Sequence, residues 1–116
     1  MHFRRQRLGD QLQVELAEVI LLELKDPRIG FVTVTEVRMS TDLKHARVYV
    51  SVYGTQEEEE ETLRVLRHAG GFLKRQVGRR LALRYIPDLV FVLDDTLKRS
   101  ARIEALLENA GSAKDE

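Results

Sequence analysis

Near the start of the chain the apolar residues Leu8, Leu12, Leu16, Val19 and Ile20 recur at intervals of four, four, three and one. That spacing predicts an amphipathic helix over about 6–24. Pro27 ends it, because the proline ring disfavours the helical region at Asp26, and Gly30 offers a positive φ before the next element. Residues 31–39 are dense in β-branched side chains, Val32, Thr33, Val34, Thr35 and Val37, which favour a strand. Ser40, Thr41 and Asp42 bond readily to their own backbone and mark a turn. A second strand follows over 47–53, where Val48, Val50 and Val52 point one way and Arg47, Tyr49, Ser51 and Tyr53 the other.

Gly54 closes that strand, and Thr55 with Glu58 has the spacing of a capping box. The acidic run from Glu57 to Glu61 then falls in the first turns of a helix, where the dipole favours negative charge. This placement explains the run better than a carboxylate metal site does. The helix continues through Leu63 and Leu66 to Ala69. There Gly70 and Gly71, each costing about 1 kcal/mol relative to alanine in a helix interior, break or bend it. A further helix keeps Leu73, Val77 and Leu81 on one face, and Pro87 blocks its extension. The continuous apolar run 89–93 suits a third, more buried strand. Asp94, Asp95 and Thr96 cap a last helix containing Ile103, Leu106 and Leu107.

The order is helix, strand, strand, helix, bend, helix, strand, helix. The connection between the second and third strands is long enough to cross over the sheet. The economical result is an α+β domain, a small mixed sheet with helices on one face. The domain is expected over 1–109, with 110–116 as a flexible tail. At 116 residues the chain has room for a single core. The absence of cysteine removes disulfides, thiolate catalysis and most zinc sites. No apolar run approaches the roughly twenty residues of a membrane span, and the N-terminus does not resemble a signal peptide, so the chain reads as cytoplasmic.

Charge changes this picture most. Nineteen acidic and nineteen basic residues cancel, yet the stretch from Arg64 to Arg84 carries seven basic residues and no acidic one. Charge sorted this way points to a phosphate backbone as partner. On the helix after the glycines, Arg75 and Arg79 lie opposite the apolar stripe and Lys74 flanks it. Like charges four apart weaken a helix by roughly 0.2–0.5 kcal/mol unless an anion sits between them. Arg4, Arg5 and Arg7 stand at the positive end of the first helix, where cations are disfavoured without an anionic partner.

Enzyme readings fare poorly. His2, His45 and His68 are scattered, Asp94 and Asp95 would face opposite sides of a strand, and the glycine-rich phosphate loops are missing. No catalytic residue, metal or cofactor is therefore expected. The competing class is a protein-interaction module in which the arginines only solubilise.

The element order is that of a type II KH domain, an RNA-binding fold. In place of its GxxG loop stands Ala69-Gly70-Gly71. This resembles the alanine-any-glycine kink of the ribosome-binding factor A family. Lys25-Asp26-Pro27-Arg28-Ile29-Gly30, Met39-Ser40-Thr41-Asp42-Leu43, Ala46-Arg47-Val48-Tyr49-Val50, Pro87-Asp88-Leu89 and Arg102-Ile103 with Leu106-Leu107 strengthen the resemblance, which covers roughly 4–107. It implies a type II KH-like domain with an added C-terminal helix. It also implies a non-catalytic, monomeric assembly factor that binds the free small (30S) ribosomal subunit and assists maturation of 16S ribosomal RNA. A part in cold adaptation and release aided by an assembly GTPase are further implications. Some members carry a longer charged C-terminal extension than this chain has. The expected RNA-binding residues combine the kink, Ala69, Gly70 and Gly71, with the basic residues Arg67, Lys74, Arg75, Arg79 and Arg80. Arg4, Arg5 and Arg7 complete the set.

Overall fold

A computed structural model describes residues 2–96 and 101–108. Helix α1 (His2–Leu22) is followed by strands β1 (Phe31–Met39) and β2 (His45–Tyr53), helices α2 (Gln56–His68) and α3 (Gly70–Arg80), and strand β3 (Asp88–Leu93). Residues 101–108 are helical and exposed. The expected tail 110–116 lies outside the described residues.

The sheet has the order β1-β2-β3, with β1 antiparallel and β3 parallel to β2. A parallel neighbour requires a crossover, which α2 and α3 supply. The alternation expected in β2 holds: Ala46, Val48, Val50 and Val52 are buried between exposed or half-buried neighbours. These side chains meet Val34, Val37 and Met39 of β1 and Phe91 of β3. Leu12, Leu16, Val19 and Ile20 of α1, Leu66 of α2, and Leu73 and Val77 of α3 close the same core. Each large apolar side chain fully buried there contributes roughly 1.5–3 kcal/mol.

Close packing of α1 on β1 depends on Gly9. A Cβ at that position would stand 2.6 Å from the Val37 carbonyl oxygen. Beside this contact β1 carries a bulge between Val34 and Glu36. Gln13 of α1 donates from its amide to the Val34 and Thr35 carbonyls at 3.1 and 3.2 Å, and the Thr35 hydroxyl donates to Asp94 at 2.6 Å. The bulge is thus held from both sides. At the start of α2 the capping box forms as its spacing predicts: Glu58 N–H donates to the Thr55 hydroxyl and Thr55 N–H to the Glu58 carboxylate, both at 3.2 Å.

Three expectations need correction. Among the described residues the glycine with positive φ is Gly54, at 148°, and not Gly30. Strand β3 is an edge strand in which only Phe91 is buried; Leu89, Val92 and Leu93 are half-buried and Val90 is 45% exposed, so its continuous apolar run does not mark a strand covered on both faces. The break between α2 and α3 falls on Ala69, with φ −84° and ψ 3°, while Gly70 and Gly71 belong to the first turn of α3. Ala69 keeps helical bonds on both sides, to Val65 O and from Leu73 N–H, each 2.9 Å. The axis therefore turns without a gap in hydrogen bonding.

Candidate nucleic-acid interface

The basic stretch that is uninterrupted in sequence is divided by the fold. Carboxylates and carbonyls from other elements reach several of its members. Arg64 pairs with Glu61 within α2. Arg67 donates to the Phe91 carbonyl at 3.2 Å and so ties α2 to β3. Lys74 pairs with Asp88 at 2.6 Å. Arg80 has the most partners: its guanidinium lies 3.2 Å from Glu15, 3.0 Å from Glu18 and 2.9 Å from Glu23, all contributed by α1 and the residue just beyond it. Glu23 first, and then Glu15, hold the Arg80 pKa above its ordinary value. This guanidinium works as an α1–α3 clamp, with its charge offset inside the molecule.

Three members remain: Arg84, beyond α3, lies against the Tyr85 ring, and Arg75 and Arg79 stand on the helix itself. Both are exposed on α3 and form no ion pair with a described residue. They stand on the face opposite the buried Leu73 and Val77. The uncompensated charge of the α3 face is concentrated on this pair.

The kink residues adjoin it. Nothing lies within 4 Å of a Cβ built on Gly70, and one on Gly71 would meet only Arg75 Nη1, at 3.5 Å. Gly78 makes the contrast. A Cβ there would fall 2.2 Å from the Ile86 Cδ1 atom, so that glycine is required by packing against the loop before β3. Gly70 and Gly71 are required by no contact inside the protein. They leave a bare stretch of backbone beside the Arg75 guanidinium.

The N-terminal arginines lie within α1 and not ahead of it, and they divide. Arg4 and Arg7 line a cleft together with Lys74, whereas Arg5 lines a smaller groove with Asp10, Glu36 and Arg38. Lys44, Arg84 and Tyr85 also line the larger cleft, which the sequence reading did not foresee. Sequence neighbours held the available clue: Arg84 and Tyr85 form a basic-aromatic pair just before Pro87.

Among the described residues no group of three or more histidine, cysteine, aspartate or glutamate side chains is arranged to hold a metal ion. Asp94 accepts from the Thr35 hydroxyl at 2.6 Å and from Thr96 N–H at 3.0 Å. It acts as a turn anchor between β1 and the segment after β3. No described helix is long and apolar enough to cross a membrane.

Comparison with known proteins agrees with this architecture. The family described as Ribosome-binding factor A matches residues 4–107. The Ribosome-binding factor A of Thioalkalivibrio sulfidiphilus is 49% identical over 107 residues, 92% of this chain and 83% of that protein. The one from Halothermothrix orenii is 47% identical over 105 residues, 90% and 86% of the two chains. The crystal structure of ribosome-binding factor A from Thermus thermophilus aligns with a TM-score of 0.69 at 36% identity, covering 77% of this chain and 94% of that one. A homology model of the Thermus thermophilus factor, fitted into a cryo-electron microscopy map of its complex with the 30S subunit, aligns with a TM-score of 0.66 at 35% identity, covering 78% and 96%. A three-stranded KH-like sheet, a kink at Ala69 and a match spanning nearly all described elements lead to one assignment: the chain belongs to the ribosome-binding factor A family.

Proposed function

We propose that the protein binds the free small ribosomal subunit as a non-catalytic assembly factor and contacts 16S ribosomal RNA through the α2–α3 kink and the outer face of α3. The observation that carries this reading is the juxtaposition at the kink. Two glycines without an internal packing role stand beside Arg75, and Arg79 follows one turn later, both without a described ion-pair partner. Glycine in a helix costs about 1 kcal/mol relative to alanine. Unpaired like charges four apart add a smaller cost. Both costs make sense where a phosphate backbone approaches the helix surface closely, because the glycines admit it and the arginines neutralise it. The complex of the Thermus thermophilus factor with the 30S subunit supports the same choice of partner.

Maturation of 16S ribosomal RNA, action as a cytoplasmic monomer, a role in cold adaptation and release by an assembly GTPase belong to this proposal as its further content. The test is co-sedimentation of the pure protein with small subunits, large subunits and intact ribosomes at two salt concentrations. Binding to small subunits that weakens steeply with salt supports the reading. Equal binding to all three particles reduces it to unspecific attraction, and salt-independent binding favours a protein-interaction module.

A further inference from the structure

We infer that the cleft between α1, the β1–β2 turn and the α3–β3 loop takes one unpaired nucleotide of RNA, with its base against Tyr85 and its phosphates on Arg4, Arg7 and Lys44. The inference rests on the RNA-binding reading above and adds a second contact, since neither Ala69 nor Gly71 lines this cleft. Its volume of about 1130 Å³ exceeds what one nucleotide needs and leaves room for the flanking backbone.

Three features of the cleft fit this ligand. Tyr85 is 80% exposed although it is a large aromatic residue in a loop, and the Arg84 guanidinium lies 5.6 Å from its ring centroid. An exposed ring covered by a cation is a platform for a base, because every base presents a π-face and the guanidinium adds a second planar surface. The floor around it is apolar, formed by Leu8, Leu43, Leu83 and Ile86. The rim is basic. Lys74 is offset by Asp88, and Asp42 is engaged by Ser40 Oγ at 2.7 Å and by Lys44 N–H at 3.0 Å. Arg4 and Arg7 have no described ion-pair partner, so the balance of the rim is positive.

Backbone conformation shapes both walls. The described non-glycine residues with positive φ are Leu43, at 62°, and Ala82, at 51°. Leu43 lies in the turn that forms one wall. Ala82 begins the loop that carries Leu83, Arg84 and Tyr85 into the other. Ala82 is the left-handed residue of a Schellman cap, with Leu83 N–H donating to Gly78 O at 3.0 Å and Ala82 N–H to Arg79 O at 3.2 Å, so the end of α3 itself turns this loop into the cleft. A duplex would not reach the floor of such a cleft, because its bases are stacked and paired. A flipped or single-stranded base would.

The test uses three probes: hexauridylate, a six-residue abasic ribose-phosphate strand and a short RNA duplex. Each is titrated against wild type, Tyr85→Leu and Tyr85→Trp by fluorescence anisotropy, and the same proteins are co-sedimented with small subunits. Base–aromatic stacking predicts that wild type prefers hexauridylate over the abasic strand by roughly 5- to 100-fold. Tyr85→Leu should erase that preference with little change in salt dependence. Tyr85→Trp should restore it and show quenched indole fluorescence on binding. Three results would each overturn the inference. Tyr85→Leu could keep the full preference while RNA is still bound, which leaves the RNA reading intact. It could lose hexauridylate and the abasic strand equally. Or it could lose the small subunit while binding hexauridylate normally, which would make the cleft a protein-docking site. Failure of every variant, wild type included, to bind any RNA probe or the small subunit would remove the RNA-binding reading and this inference with it.

Discussion

The Lys74 ammonium lies 2.6 Å from the Asp88 carboxylate, joining the basic face of α3 to the first residue of β3. The pair stands at the edge of the cleft and is solvated, with side-chain exposures of 36% and 64%. Solvated pairs add little stability, yet this one ties up a cation beside the cleft proposed to take RNA. Asp88→Asn should leave the melting temperature nearly unchanged and tighten RNA binding. If Lys74 then gains a phosphate contact, the slope of log affinity against log salt steepens by roughly 0.7. Salt titrations of small-subunit or oligonucleotide binding, with thermal melts as control, check this.

Gly70 has open space where a Cβ would go. Gly70→Ala should therefore stabilise the fold, by roughly 0.5–1 kcal/mol from helix propensity. If the kink is a close-approach surface for RNA backbone, the same variant binds small subunits more weakly although it melts higher. Denaturant unfolding and co-sedimentation on one preparation separate the two effects. A variant that is more stable and binds normally would show that the kink is only a corner.

Gly9 should respond with the opposite sign to the same change. A Cβ there meets the Val37 carbonyl oxygen at 2.6 Å, and neither backbone can yield without moving α1 off β1. Overpacking costs of roughly 1–3 kcal/mol outweigh the propensity gain. Gly9→Ala should lower the melting temperature, by about 4 °C per kcal/mol in a domain of this size.

Asp26 titrates unusually low. Hydrogen bonds from the Arg28 side chain and, next, from its backbone N–H hold the carboxyl at about 2 instead of 3.8. A depressed carboxyl contributes stability that is fully present above pH 3.8 and is lost as pH falls toward 2. Arg28→Ala should bring the Asp26 titration back toward its ordinary value, read from the carboxyl carbon chemical shift. The Asp26 side chain is half-buried, but its partner Arg28 is 59% exposed, and an ion pair open to solvent on one side adds little, so the effect on stability should be small.

Element types and their order were legible in the sequence because period and punctuation agreed. The alternation around Val48, Val50 and Val52, the Thr55–Glu58 capping box and Pro87 each have a local physical cause, and each appears in the fold. Contacts between distant segments were not legible. No local pattern announces that Glu15, Glu18 and Glu23 converge on Arg80, 57 to 65 residues away, or that Gly9 and Gly78 are packing glycines while Gly70 is not. The absence of acids between Arg64 and Arg84 overstated the free positive charge, because the compensating carboxylates arrive from α1 and β3. The cleft was missed for the same reason, since its walls come from three separate parts of the chain.

The claim that the outer face of α3 meets RNA is tested most directly by reversing its two unpaired charges. Arg75 and Arg79 point away from Leu73 and Val77, so Arg75→Glu/Arg79→Glu should melt like wild type and even relieve local repulsion. The measurement is small-subunit binding across a salt series for both proteins. The account predicts markedly weaker binding and a log–log slope shallower by roughly 0.7–0.9 for each lost phosphate contact. Equal affinities and equal slopes in two equally folded proteins would contradict it.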